Sequence, residues 1–77
     1  MWVYSKYGVL VNLSNAIEVD GIQRGDTFEI CATFSEARII DLGTIKYDRT
    51  LLALVMDKIA AQAVIGFINM KVILAEF

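Results

Sequence analysis

Cys31 is the chain's one thiol, and histidine is absent. A cysteine becomes a nucleophile when a neighbouring base or cation favours its thiolate. Without histidine, the commonest general base and the commonest metal ligand are both missing. A lone cysteine can form neither an intramolecular disulfide nor a thiolate metal cage. Glu18, Asp20 and Asp26 fall near one loop. Calcium or magnesium would need more oxygen ligands at a defined loop spacing than these supply. No glycine-rich phosphate loop and no Ser/Lys nucleophile pattern occurs. The residues therefore point to no catalytic group, no metal and no cofactor, and to a protein that is not an enzyme.

Three other groupings carry recognition chemistry. Arg24, Arg38 and Arg49 are candidate phosphate ligands, provided a symmetric assembly gathers them around a pocket between subunits. Arg24-Gly25-Asp26 is the tripeptide that integrins read on extracellular loops, but a turn between strands asks for Gly and Asp on backbone grounds alone. Trp2, Tyr4 and Tyr7, with Lys6 among them, have the makings of a base-stacking platform. Aromatics alternating on a strand more often fill a core or an interface, so Trp2 and Tyr4 are read as interface candidates.

The elements that must position these residues are legible from periodicity. Val3 and Ser5 alternate with Trp2 and Tyr4 on a first strand, and Val9–Leu13 forms a second. Ala16–Val19 reads as a third, ended by Asp20-Gly21 and a loop through Asp26. Thr27–Phe34 is the clearest strand, with Phe28, Ile30, Ala32 and Phe34 inward and Thr27, Glu29, Cys31 and Thr33 outward. Ser35-Glu36-Ala37 then turns the chain into Arg38–Ile45, where Ile40, Leu42 and Thr44 share a face. Gly43 marks a bulge or a close helix approach.

Asp48 is placed to cap a helix running to about Ile65, with a break near Gly66–Asn69. From Leu51 to Ile68 only Asp57, Lys58, Gln62 and Gly66 are not apolar, and the last three are spaced by four. The helix is thus greasy around most of its circumference, although covering a sheet needs an arc of only about 100°. Its apolar residues Leu52, Val55, Met56, Ile59 and Ala63, together with Phe67, join Trp2 and Tyr4 as interface candidates. For 70–75 two readings stand, a final strand or a continuation of the helix, because so short a run does not separate them. The expectation is a single α+β domain over 1–77. It comprises a small antiparallel sheet of four or five strands over 1–46, a helix over 48–66 and a final strand over 70–75.

Composition narrows the function. Of 77 residues, 57% are hydrophobic and 21% charged, which excludes a disordered chain. The net charge of −2 and the scattered basic residues argue against duplex nucleic acid, which calls for a basic stripe. The uncharged stretch Ile59–Met70 has 12 residues, short of the roughly 20 that a membrane span requires. No signal peptide pattern opens the chain, and cysteine usage suits the cytoplasm. A domain this small, lacking disulfides and metals, commonly gains stability by oligomerising.

Trp2-Val3-x-Ser5, Leu10-Val11-Asn12, Ile17-x-Val19 and Ile40-x-Leu42-Gly43-Thr44-Ile45, followed by a helix with Ala53 and Ile59, form a pattern over roughly residues 2–60. It resembles a loose group of short uncharacterised proteins encoded by Gram-positive bacteria and their phages. The chain departs from the group in its Asp48-Arg49-Thr50-Leu51-Leu52 helix start and its apolar Phe67–Phe77 end. The resemblance implies a small antiparallel sheet plus helix and a phage or prophage origin, and no activity. Together these readings lead to a non-enzymatic, homo-oligomeric interaction protein that binds a host protein. The alternative is a nucleotide-binding or sequestering protein with its pocket between subunits.

Overall fold

The alternation of Phe28, Ile30 and Ala32 does build the central strand of the larger of two sheets in the computed structural model, which describes residues 1–35 and 38–77. The elements in chain order are β1 (Trp2–Tyr4), β2 (Leu10–Asn12), β3 (Glu18–Arg24), β4 (Thr27–Ser35), β5 (Arg38–Lys46), α1 (Arg49–Ile65), β6 (Phe67–Asn69) and α2 (Met70–Ala75). The fold is α+β. Its strands form two three-stranded sheets, ordered β2-β1-β6 and β3-β4-β5, in place of the single sheet expected. The larger sheet is antiparallel throughout, whereas β6 pairs parallel with β1. Two positions of the Ser35-Glu36-Ala37 turn, Glu36 and Ala37, lie outside the described residues.

β3 overturns the turn expected at Asp20-Gly21. It continues through both residues to Arg24, and the reversal comes at Gly25-Asp26. Arg24 pairs with Thr27, and Gly25 has φ +62°, the positive value a two-residue type II′ hairpin requires at its first central position. Gly21 has another task. A Cβ there would stand 2.6 Å from Leu52 Cδ1 of α1. Gly43 does the same for α2, since its Cβ would collide with Leu74 Cδ1.

These two glycines share one rung of the sheet. Gly21 pairs with Ile30, and Ile30 pairs with Gly43. Residues directly opposite on neighbouring strands point to the same face. Leu52 and Leu74 therefore drop into the spaces on either side of the fully buried Ile30.

Gly43 also follows a bulge, so both readings of it hold. Ile30 faces Gly43 while Cys31 faces Asp41, which leaves Leu42 as the extra residue. The bulge shifts the phase of β5: Leu42 and Ile45 are buried, and Thr44 does not take the inward place expected of it.

The smaller sheet turns Val3, Val11 and Ile68 into the same core as Phe28, Ala32, Val55, Met70 and Ile73. Buried Ser5 shapes the turn between its first two strands. Its Oγ accepts the N–H groups of Tyr7 (3.2 Å) and Val9 (3.1 Å). The Lys6 N–H then donates to the Leu42 carbonyl at 2.9 Å and ties the small sheet to the free side of β5.

Asp48 caps α1 as expected, its Oδ1 accepting the Leu51 N–H at 3.0 Å, and Gly66 closes the helix in the left-handed conformation at φ 96°. The strand expected over 70–75 is the helix α2. Asn69 caps it by accepting the Val72 N–H at 3.2 Å, and Met70 and Ile73 bury one side of it. The last strand lies just before, at Phe67–Asn69.

Gly21→Ala is expected to destabilise the protein by about 1–2 kcal/mol through overpacking against Leu52. In a Leu52→Ala background the same change costs much less, because Leu52 atoms alone crowd the added methyl. Urea denaturation of the two single variants and the double variant measures this coupling.

Candidate functional site: the outer face of the main helix

α1 divides cleanly by burial. Leu51, Leu52, Val55, Met56, Ile59 and Ala63 pack on the core, at the i, i+3, i+4 spacing of one helical stripe. Five of these had been read as interface candidates. Val55 and Ile59 are buried within the chain's own core, and Leu52, Met56 and Ala63 are half-buried against it. None of the five belongs to the helix's outer face.

The polar stripe is only partly exposed to solvent. Gln62 Oε1 accepts the Asn69 N–H of β6 at 2.7 Å, and Lys58 Nζ lies 3.8 Å from Glu76 Oε2. Both residues are drawn toward the returning C-terminal segment. The glutamine thereby occupies a β6 N–H that has no strand beside it.

The outer face is made by Ala53, Leu54, Asp57, Ala60, Ala61, Val64 and Ile65. Val64 is 89% exposed and Ile65 83%. At the helix end this surface runs into a cleft of about 290 Å³ lined by Trp2, Leu10, Gly66 and Phe67. Strand register accounts for that cleft. Trp2 is the partner of Phe67, and Leu10 that of Tyr4, so all four point away from the Val3–Val11–Ile68 layer. Trp2 and Phe67 are each about half exposed. Tyr4 is half-buried, with Lys71 Nζ 5.5 Å from its ring centroid.

The sequence carried a signal for this face that was not used. Ala53, Asp57, Ala60, Val64 and Leu54, Ala61, Ile65 recur at helical spacing, and small alanines beside a single charged pair mark the side with least to bury.

The three arginines are not gathered within the chain. Arg24 Nε pairs with Glu29 Oε2 at 2.8 Å beside the β3–β4 turn. Arg49 lies over the Tyr47 ring at the start of α1, 6.0 Å from its centroid. Arg38 lies over Phe34, at the opposite end of β5 from Lys46. Eight residue steps separate the ends of β5, roughly 25 Å. Among the described residues no three His, Cys, Asp or Glu side chains assemble as a metal site. No helix among them is long and apolar enough to cross a membrane.

Cys31 departs from the outward exposure expected of it. It is 1% exposed, although its register partners are Asp20 and Asp41 on the strands to either side. Burial raises its pKa above the ordinary 9.0, and the charges of Glu29 and Asp41 push the same way. Both effects favour the neutral thiol over the thiolate.

No known protein family, curated protein or solved structure matches this chain.

Native protein at pH 8 is expected to react with a thiol reagent such as DTNB only as fast as it opens, whereas the unfolded chain reacts at once. Because the folded pKa is raised, the stability linked to this thiol is complete below pH 9.0 and is lost as pH rises beyond it. Cys31→Ala removes that part of the alkaline decline, as denaturation measured between pH 7 and pH 10 reads out.

Proposed function

We propose that this chain is a non-catalytic, self-associating interaction protein, and that the outer face of α1 docks against the same face of a second copy. The observation that carries this reading is the exposure of Leu54, Val64 and Ile65 on a helix whose inner stripe is already satisfied by its own sheet. Soluble monomers rarely leave a continuous apolar surface of this kind uncovered.

The face suits a second copy because it complements itself. Asp57 and Lys58 sit at the middle of the 17-residue helix. A two-fold axis near that midpoint brings Asp57 of each copy against Lys58 of the other, as an isologous contact demands. Lys58 has the freedom to do so, since its pairing with Glu76 is long and half exposed. Ala53, Ala60 and Ala61 let two helix backbones approach closely. Trp2, Leu10 and Phe67 then extend the apolar contact beyond the helix end. A standard interface covers about 800 Å² per partner, roughly one-sixth of the 4730 Å² surface of one chain.

The raised thiol pKa, the absence of histidine and the dispersed arginines all support a role in contact rather than in chemistry.

Light scattering coupled to size-exclusion chromatography is expected to return the mass of a dimer or larger oligomer. Val64→Asp with Ile65→Asp places unpaired charge in the contact and weakens association at least about tenfold. Both positions are exposed, so circular dichroism should be unchanged. A monomer at every concentration overturns the reading.

A further inference from the structure

Among the described residues, three lysines line one cleft that lies apart from the outer face of α1. Lys6 from the β1–β2 turn, Lys46 from the end of β5 and Lys71 from the first turn of α2 line a cleft of about 600 Å³ together with Thr44. Its lining contains no acidic side chain. Among the described residues none of the three lysines has a carboxylate within ion-pair distance, whereas Arg24 and Lys58 both do. Three of the seven basic residues thus line one cleft in a chain of net charge −2, with the Lys71 ammonium also 5.5 Å from the Tyr4 ring centroid. A cleft lined by one sign of charge raises the local concentration of an oppositely charged ligand.

The rest of the cleft is greasy. Leu51 of α1, Leu74 of α2 and Phe77 provide apolar walls. Thr44 brings a hydroxyl, 3.2 Å from the Tyr7 hydroxyl. Lysine binds phosphate as a mobile point charge.

We propose that this cleft binds a small organic phosphate, with the head group among Lys6, Lys46 and Lys71 and an apolar or planar body against Leu51, Leu74 and Phe77. The cleft is built within one chain, so it does not rest on self-association.

Amide chemical shifts of ¹⁵N-labelled protein, titrated separately with inorganic phosphate, adenosine monophosphate and hexyl phosphate, test this. Saturable shifts at Thr44, Lys46, Lys71 and Phe77 are expected with at least one organic probe, at lower concentration than with inorganic phosphate. Tighter binding of the nucleotide assigns a planar body, and tighter binding of hexyl phosphate an aliphatic one. Lys46→Ala and Lys71→Ala should each raise Kd about five- to tenfold, while Glu18→Gln, exposed on β3 outside the cleft, leaves it unchanged. The site is overturned by no saturable shift with any probe at millimolar concentration. It is equally overturned by shifts centred on Arg24 or Arg49, or by lysine variants that bind as tightly as the parent. Inorganic phosphate binding as tightly as both organic probes overturns the apolar-body assignment.

Discussion

A single rung of the larger sheet, Gly21–Ile30–Gly43, governs how everything else is packed. Ile30 is fully buried, and the two glycines flanking it leave vacancies that Leu52 and Leu74 fill from different helices. Side chains at either glycine would hold a helix away from the sheet. With both absent, α1 and α2 seat beside one another on one face, and the core closes around Ile30, Leu42, Val55, Met70 and Ile73. Interior packing at near-crystalline density leaves such a row little tolerance for added volume.

That seating decides what α1 presents outward. Once Leu52 is lodged over Gly21, the helix rotation is set and the stripe through Val55, Ile59 and Ala63 faces inward. The C-terminal segment returns along the polar side, where Gln62 meets the Asn69 N–H. The inward side and the Gln62 part of the polar side are then occupied by the chain itself, while Lys58 stays half exposed. What remains is the side bearing Leu54, Ala61, Val64 and Ile65, whose apolar character has no counterpart in the same subunit.

The same return path distributes charge. Folding Met70–Ala75 back as a helix carries Lys71 to the side where Lys6 and Lys46 already lie, although the three are separated by dozens of residues in the chain. Asp41 is tied instead to the Tyr7 hydroxyl at 3.4 Å and to the Gly43 N–H at 2.9 Å, and it does not line that cleft. A globally acidic protein thus acquires a locally basic hollow through topology alone.

Several local features were legible in the amino acids themselves. The strand over Thr27–Phe34, the Asp48 cap and the Gly66 stop are each specified by residues within a few positions of one another, and the structure keeps all three, although Cys31 is buried against the strand's alternation. Other features depended on partners distant in the chain. Asp20-Gly21 has the composition of a turn, yet it lies within a strand because a leucine thirty-one positions later needs the glycine's empty space. The last apolar run is too short for its period to distinguish helix from strand, and the Asn69 cap with burial of Met70 and Ile73 settles it as helix. The sequence alone determined the α+β class, the bounds of the main helix and its excess of apolar surface. Only tertiary packing decided which side of that helix stays uncovered and which lysines meet, since local patterning constrains the backbone while contacts between remote segments select the faces.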